Sequence, residues 1–352
     1  MEEPQAAPAL PTLEQLFPAT LPLDVGDLPD GIASHSAQAC SACHYAASDQ
    51  WAEGTHSGPF TAFLKTVDEM DMPACASCHL PLVQQHTADV VYDQDDATRA
   101  IERPYATVDF TLRSEGVTCA TCHTRDGHVV AADENREAPH PMVVSNALSD
   151  VRACSSCHQM TLPNATTPLY NTVGEWQATP WAEAGIGCVD CHMGSAADGG
   201  LDHGFAGQHG KGLSVLVRAD ATEVVRGGDP IDITLTLQNT GAGHSLPTGS
   251  PFQNWVVHAW LEGPSRGRNS EPDRVSDYST MLARTLGEAP DYPVVQDTRL
   301  AAFEQRELTW PASLDVEAKQ GDWFVVVELR ETIGESPAPS ALRTWRFPLT
   351  VR

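Results

Sequence analysis

The sequence predicts an α+β protein with several domains, in which a loop-rich, mostly α-helical part is followed by an antiparallel β-sandwich. Two observations lead to this fold class. All ten cysteines lie before residue 193, and the rest of the chain contains none. From Leu213 onward, several segments alternate apolar and polar residues, which is the period of a strand with one buried face. A chain of 352 residues is long enough to form two such domains.

The composition divides the chain into three segments. Residues 1–31 are rich in Pro, Ala and Leu and show little periodicity, so we expect an N-terminal tether or extended segment. Residues 32–210 contain the cysteines and should form the first domain, with short helices and long loops. Residues 211–352 should form the sandwich, and Gly210-Lys211-Gly212 marks the boundary between the two.

Every cysteine belongs to one of five Cys-x-x-Cys-His motifs. This motif attaches c-type haem, because its two thiols add to the haem vinyl groups and the adjacent histidine then binds the iron. Zinc sites need two such pairs, so five pairs leave one over, and a redox dithiol does not require a histidine each time. The sequence therefore predicts five covalently bound c-type haems, which should form the apolar core of their domain. The expected haem-binding cysteines are Cys40, Cys43, Cys75, Cys78, Cys119, Cys122, Cys154, Cys157, Cys188 and Cys191, and the expected proximal ligands are His44, His79, His123, His158 and His192.

Nine further histidines are available as second axial ligands. Neutral imidazole is the commonest metal ligand among protein side chains, so nine spare histidines beside five irons favour bis-histidine ligation. His56 follows the first motif, and His140 lies in a Pro-flanked loop before the fourth motif. The expected distal ligands are His56, His140, His209, His203 and His35.

Short segments around the five motifs form a further pattern. Trp51 is followed five residues later by His56-Ser57, Gly116-Val117-Thr118 leads into the third motif, and Glu175-Trp176 precedes the fifth. This pattern resembles the cytochrome c554 and hydroxylamine-oxidoreductase-like superfamily of multihaem proteins over residues 36 to about 210. The resemblance implies haems in closely spaced pairs, many of them with two histidine ligands.

The C-terminal segment contains strand patterns separated by turn signals. Residues 231–238 and 345–351 alternate, and residues 255–261 and 323–329 are mostly apolar. An antiparallel β-sandwich of immunoglobulin-like type with about seven or eight strands fits this pattern.

The loop Asn239–Gly249 contains a Gly-His-x-x-Pro-Thr-Gly string like one found in sandwich domains fused to multihaem segments. Two interpretations of this loop stay open. It forms a tight turn shaped by its Gly and Pro residues, or it brings His244 to a haem, as an iron ligand or as a partner of a propionate. His244 is therefore a further candidate ligand.

The formal net charge of −26, with only three lysines, excludes a basic nucleic-acid-binding surface. The acidity is interpreted either as a docking field for a positively charged redox partner or as an adaptation for solubility in a salty medium. No apolar run reaches about 18 residues, so no transmembrane segment is predicted. Haem attachment of this kind takes place outside the cytoplasm. We therefore expect a periplasmic or extracellular protein whose signal peptide has been removed, and a lipid anchor lost with it is left open.

Three functions remain open at this stage. The first is electron transfer along closely packed, mostly bis-histidine haems, with redox partner proteins, such as other multihaem cytochromes, as partners. The second is a reductase or oxidase of small nitrogen or sulfur compounds, which needs one haem with an open distal face. The third is an extracellular, filament-forming cytochrome. Many histidines and few lysines favour electron transfer, because nitrite-reductase-like relatives often replace the proximal histidine by lysine. No catalytic residue is assigned, and enzymatic activity is left open.

Overall fold

The computed structural model describes residues 12–18, 21–58, 72–86, 88–92, 100–104, 109–133, 137–162, 165–197, 199–207, 213–221, 224–265, 271–289, 291–333, 336–337 and 340–352. The chain divides into two compact units. The first unit comprises Met1–His158 and Ile186–Gln208, and the second comprises Gln159–Gly185 and His209–Arg352. All five motifs lie in the first unit. Residues 159–185, which the sequence analysis placed within 32–210, group with the C-terminal residues.

The helices of the first unit are short. Four of the five motifs lie inside helices that end at the motif histidine, and the first motif starts near the end of its helix. The helices are Leu13–Leu16, Ala37–Ser41, Tyr45–Glu53, Met72–His79, Phe110–Arg113, Cys119–His123, Arg152–His158 and Cys188–His192, with 3-10 helices at Val83–Gln85 and Asn146–Ser149.

Two small sheets complete the described part of the first unit. Strands β1 (Ala88–Tyr92) and β2 (Ala100–Pro104) pair antiparallel. Strands β3 (Thr124–Arg125), β4 (His128–Ala131) and β5 (Met142–Val144) form a second sheet, in which β4 and β5 run parallel. These strands follow the third motif directly and connect it to the loop that precedes the fourth.

The described part of the N-terminal segment packs on the first unit. Leu16 and Phe17 form one buried cluster with Val130 and Ala147. Leu23 and Val25 belong to a second cluster with Leu82, Leu112 and Ala120. Backbone hydrogen bonds, among them Leu23 N to Pro81 O at 2.6 Å and Asp126 N to Val25 O at 2.8 Å, fix the path of this segment.

The second unit is mainly β. Its first part, between the fourth and fifth motifs, contains β6 (Gln159–Met160), β7 (Tyr170–Asn171) and the helices Thr172–Gln177 and Pro180–Glu183. Its larger part contains the strands β8 (Val215–Asp220), β9 (Val224–Val225), β10 (Pro230–Asn239), β11 (Gln253–Gly263), β12 (Asp273–Leu282), β13 (Arg284–Leu286), β14 (Val294–Asp297), β15 (Gln305–Ser313), β16 (Gly321–Ile333), β17 (Ser336–Pro337) and β18 (Arg343–Val351).

Two sheets of the second unit share one buried core. One sheet has the strand order β15-β10-β8, and the other has the order β12-β11-β16-β18-β9. Their pairs are antiparallel except for β9 and β18, which are parallel. The strand predicted over residues 231–238 is confirmed as β10, in which Ile231, Ile233, Leu235 and Leu237 are buried. These side chains belong to the same cluster as residues of the other sheet, such as Val257 and Val325.

In the part of the chain that the structure describes, no helix has the length and apolar character needed to cross a lipid bilayer.

Candidate haem centres

Cysteines of different motifs lie side by side in the first unit. No disulfide joins any of the ten cysteines, all of which are described. Thiol–thiol hydrogen bonds instead join Cys40 to Cys119, Cys78 to Cys157 and Cys154 to Cys188. The first motif therefore adjoins the third, and the fourth adjoins both the second and the fifth.

The pKa values of the thiols indicate one further contact between motifs. The hydrogen bond from Cys154 lowers the pKa of Cys188 to about 7, whereas the pKa of Cys154 is raised by this bond and by burial. The Cys122 thiol raises the pKa of Cys154 further, and it does the same for Cys157. The third motif therefore also lies near the fourth, which connects the five motifs into one continuous group.

Three motif histidines each face a histidine from another part of the first unit. The ring centres are 6.5 Å apart for His44 and His140, 6.4 Å apart for His158 and His56, and 6.2 Å apart for His123 and His203. A metal–imidazole bond is about 2 Å long and each ring nitrogen lies about 1 Å from the ring centre, so two imidazoles on opposite sides of one metal have centres about 6 Å apart. The three pairs have this spacing, and these residues therefore fit a haem iron between them.

Among the described residues, no group of three or more His, Cys, Asp or Glu side chains is placed to hold a metal ion by itself. A haem iron does not require such a group, because the porphyrin supplies four nitrogens and the protein supplies the axial ligands. Pairs of histidines are therefore the arrangement expected for haem.

The segment that follows the first motif positions His56. Trp51 Nε1 donates a hydrogen bond to Val117 O at 2.8 Å, and Val117 N donates to His56 O at 3.0 Å. Gly116 has φ +72°, and a Cβ there would lie 2.8 Å from His56 O, so this close approach requires glycine. The sequence pattern Trp51 to Ser57 thus ties the distal candidate of one motif to the segment that leads into the third motif.

The imidazole of His56 is held neutral by its surroundings. Burial, followed by the nearby His158, His192 and His79, lowers its pKa to about 4. The edge of its ring contacts the ring of Phe205, with centres 4.3 Å apart. A neutral imidazole has a free nitrogen lone pair, which is the form that binds iron.

Hydrogen bonds orient both rings of the pair His123 and His203. His123 Nδ1 lies 2.9 Å from Val130 O, and His203 Nδ1 lies 2.9 Å from Leu201 O. The backbone of His203 donates to Gln50 Oε1 at 3.0 Å. When Nδ1 carries the proton, Nε2 remains as the metal-binding atom, which is the usual arrangement of a ligating histidine. Sequence reasoning did not identify Gln50, because its partner lies 153 residues away.

His140 lies where β4 and β5 meet the N-terminal segment. Val129 N donates to Pro141 O at 2.9 Å, which fixes the loop on one side. Gly31 has φ +86°, and a Cβ there would lie 2.6 Å from Pro139 O, so the segment passes closely over the other side. His140 Nδ1 is buried and has no hydrogen-bond partner.

For three further predicted ligands, the structure describes fewer contacts than for the residues above. The histidine of the fifth motif, His192, contacts Ala206 O through Nδ1 at 2.6 Å. His35 has a buried Nε2 without a hydrogen-bond partner, and burial lowers its pKa. His209 lies outside the described residues. The assignment of His35 and His209 as distal ligands therefore stays a prediction.

The loop with His244 is anchored inside the second unit. Glu175 Oε2 accepts hydrogen bonds from Ser245 N at 3.1 Å and from Thr248 Oγ1 at 2.9 Å. Trp181 Nε1 donates to Gly241 O at 3.1 Å. Glu175 also forms an ion pair at 2.8 Å with Arg299, both of them nearly buried. These contacts favour the interpretation as a structured turn, and a role of His244 at a haem stays a prediction.

Two residues that sequence reasoning missed support the motifs directly. Glu115 accepts hydrogen bonds from Ser36 Oγ and, at 2.8 Å, from Ala37 N, and so caps the helix that carries Cys40. Arg125, two residues after His123, is buried, and burial lowers its pKa to about 10, so it is still charged at neutral pH. Neither residue has a recognisable motif of its own, because each acts on a partner that is distant in sequence.

Comparisons with known proteins give a structural likeness and no sequence relative. No family model matches the chain, and no curated protein matches it. The crystal structure of a penta-heme cytochrome c552 from Thermochromatium tepidum is similar with a TM-score of 0.57 and 16% identity, over 89% of this chain and 98% of that chain.

Two further structures match 39% of this chain. They are the CARDB domain of the PF1109 protein in complex with di-metal ions from Pyrococcus furiosus (TM-score 0.23, 11% identity, 91% of that chain) and the sporulation control protein Spo0M from Bacillus subtilis (TM-score 0.24, 8% identity, 49% of that chain). Scores this low give no information on function. The fold of this chain is thus similar to that of a penta-heme cytochrome.

Proposed function

We propose that this chain is an exported pentahaem c-type cytochrome that transfers electrons along closely packed, mostly bis-histidine haems. The observation that carries this proposal is the spacing of three histidine pairs, each of which combines a motif histidine with one from elsewhere in the chain. The fold similarity to a penta-haem cytochrome supports it. Two axial histidines leave no open position for a substrate, so electron transfer is favoured over catalysis at these three centres.

Each haem, when bound, supplies an iron that takes up and releases one electron. The motif cysteines would hold the haem covalently, and the paired histidines would bind its iron. Carbonyl oxygens such as Val130 O contact Nδ1 of the imidazole rings, and these contacts keep the rings in one orientation. The contacts between motifs place the first beside the third, the third near the fourth, and the fourth beside the second and fifth. This order of the motifs would give electrons a continuous route through the first unit.

The charge distribution supports a positively charged redox partner. Residues 1–208 contain 28 acidic and 7 basic residues, whereas residues 209–352 contain 19 acidic and 14 basic residues. Solubility alone does not require this asymmetry, but steering of a basic partner toward the haems does. Electron transfer to such a partner should therefore slow as the salt concentration rises, because exposed charges are screened.

The second unit is proposed to be an immunoglobulin-like domain. Its two antiparallel sheets share one core, and its last strand pairs with a strand near its start. In domains of this type, two antiparallel sheets pack face to face over one core. The three-part division at residues 31 and 210 is proposed with it, as is a periplasmic or extracellular location.

The first test of this function is the number of haems. Intact mass under denaturing conditions should exceed the mass of the peptide by five haems. A smaller number, or zinc in place of haem, contradicts the proposal.

The second test is the coordination of the irons. His56→Ala, His140→Ala and His203→Ala should each convert one low-spin haem to a high-spin haem, measured by absorption and electron paramagnetic resonance. His128→Ala is the matched control, because His128 Nδ1 contacts Asp126 O and the residue was not predicted as a ligand. If the three variants and the control have the same spectrum, the bis-histidine assignment is wrong. A high-spin haem in the unmodified protein would instead support the reductase or oxidase alternative.

A further inference from the structure

Arg125 is a buried cation directly after the third motif. The residue is 6% exposed and lies two positions after His123. Among the described residues, its hydrogen-bond acceptors are all backbone carbonyl oxygens. Nε and Nη2 donate to Leu16 O, the former at 2.7 Å; Nη2 also donates to Thr121 O at 3.0 Å, and Nη1 donates to Thr124 O at 2.5 Å and, more weakly, to Ala120 O at 3.5 Å.

Among the described residues, Arg125 has no carboxylate partner at ion-pair distance. The acidic group that acts on it, Asp126, is exposed to solvent. The other group that acts on it is the Cys122 thiol. Because attachment of haem converts this thiol to an uncharged thioether, that interaction is absent in the mature protein. The side chain of Arg125 therefore retains a full positive charge next to the third motif.

The surrounding structure stabilises this cation without adding negative charge. Its acceptors lie at the C-terminal ends of two short helices, Leu13–Leu16 and Cys119–His123, where carbonyl groups carry partial negative charge. The ring of Phe17 covers the guanidinium, with the guanidinium carbon 5.3 Å from the ring centre. An arginine that only caps the end of a helix can stay exposed to solvent, whereas Arg125 is buried. Here the N-terminal segment excludes water from the charge, which keeps it poorly screened.

We infer that Arg125 raises the reduction potential of the haem attached at Cys119 and Cys122. This inference rests on the proposed function. Reduction of this haem takes one electron from a donor redox protein, or from an electrode in a measurement, and lowers the charge of the centre by one. A fixed positive charge nearby stabilises the reduced form relative to the oxidised form, and burial makes the effect larger than at the surface.

The test is a redox titration of the complete, haem-loaded protein. Arg125→Gln should lower one of the midpoint potentials and leave the others unchanged. We expect the ratio of reduced to oxidised haem at a fixed potential to fall about tenfold at that centre, which corresponds to about 59 mV for one electron. Arg125→Lys keeps the charge and should shift the potential much less. A His203→Met variant marks the potential that belongs to this haem, because an axial thioether raises it.

Arg152→Gln is the matched control. Arg152 also lies beside a motif, two residues before Cys154, but it is exposed and its Nε lies 3.3 Å from Asp150 Oδ1. Its replacement should leave all midpoint potentials unchanged. A shift in this variant as large as in Arg125→Gln would show that any arginine near a motif has the effect, and would overturn the role of burial.

Phe17→Ala provides a test that leaves Arg125 in place. Loss of the ring admits water to the guanidinium, so the same single potential should fall, by less than in Arg125→Gln. The inference is overturned if Phe17→Ala leaves all potentials unchanged, even when Arg125→Gln does not mature. It is also overturned if Lys and Gln at position 125 lower the potential equally, since packing and not charge would then be responsible. A haem count below five refutes the proposed function instead, so the two failures are distinguishable.

Discussion

In the second unit, buried side chains from both sheets form one large cluster that includes Leu235, Val257 and Val325. In the first unit, by contrast, the described residues form only two small clusters, around Leu23 and Leu16. The motif residues of the first unit are mostly half-buried. The difference teaches that the second unit carries one large apolar core of its own, whereas the described residues of the first unit form no core of that size.

The two units also differ in the surroundings of a buried arginine, Arg125 in the first and Arg299 in the second. Burial alone lowers the pKa of Arg125, whose acceptors are carbonyl groups. Burial would also lower the pKa of Arg299, but the hydrogen bonds and charges of Asp297 and Glu175 outweigh it and raise the pKa. Among the described residues, Arg125 thus has no carboxylate partner beside its motif, whereas Arg299 pairs with two carboxylates.

The largest expected effect concerns haem. The full chain, produced in the cytoplasm without haem, should contain a folded second unit and an unfolded first unit, because the two small clusters bury too little apolar surface. Limited proteolysis should leave a resistant fragment that contains β8 to β18, with a cooperative thermal transition. Residues 211–352 expressed alone should also fold cooperatively, but with a lower stability, because this fragment lacks Glu175. An equally resistant first unit would remove the contrast between the units.

The next effect concerns the segment between the fourth and fifth motifs. Glu175→Gln should destabilise the second unit by about 3 kcal/mol, since removal of one partner leaves a buried charge less well paired. The side chains of Arg299 and Glu175 are 8% and 11% exposed, and Asp297 remains as a second partner of Arg299. Thermal or chemical unfolding measures the change. Glu183→Gln is the control, because Glu183 is exposed in the same segment. Equal stability of the two variants would show that residues 159–185 do not stabilise the second unit.

A smaller effect tests the packing of the core. A Cβ at Gly263, in β11, would lie 2.4 Å from ring atoms of the buried Trp323. Gly263→Ala should therefore destabilise the second unit by about 2 kcal/mol, as overpacking does elsewhere. Gly241→Ala is the control, because no atom lies within 4 Å of its added Cβ. Chemical denaturation of both variants measures the difference, and an unchanged Gly263→Ala would show that the core tolerates expansion.

The smallest effect is a pH dependence of the second unit. Burial would raise the pKa of Asp297, but its hydrogen bonds with Arg299 and the charge of Arg299 lower it below 3.8. A depressed pKa in the folded state contributes stability that is complete above the ordinary value and is lost as pH falls through the folded value. Unfolding measured from neutral pH to below 3.8 should show this loss, and Asp297→Asn should reduce it. The partial exposure of Asp297 keeps the effect small.

Much of the candidate site is predictable from sequence because it is local. The Cys-x-x-Cys-His motif carries its own chemistry, so all ten cysteines and the five proximal histidines follow directly from spacing. His56, His140 and His203 were predicted as distal ligands, and each faces a motif histidine. The strand β10 followed from alternation, since a strand with one buried face repeats every two residues.

The pairing of these residues was decided only by the tertiary structure. Nothing in the sequence indicates that His203 faces His123 or that His56 faces His158, because these contacts join residues far apart in the chain. The same holds for residues 159–185, which join the second unit through the contacts of Glu175 and Trp181. Local chemistry and periodicity are properties of neighbouring residues, and the sequence by itself therefore determined the haem motifs and the strands. Long-range contacts depend on how the whole chain packs, and they determined the histidine pairs, the order of the motifs and the environment of Arg125.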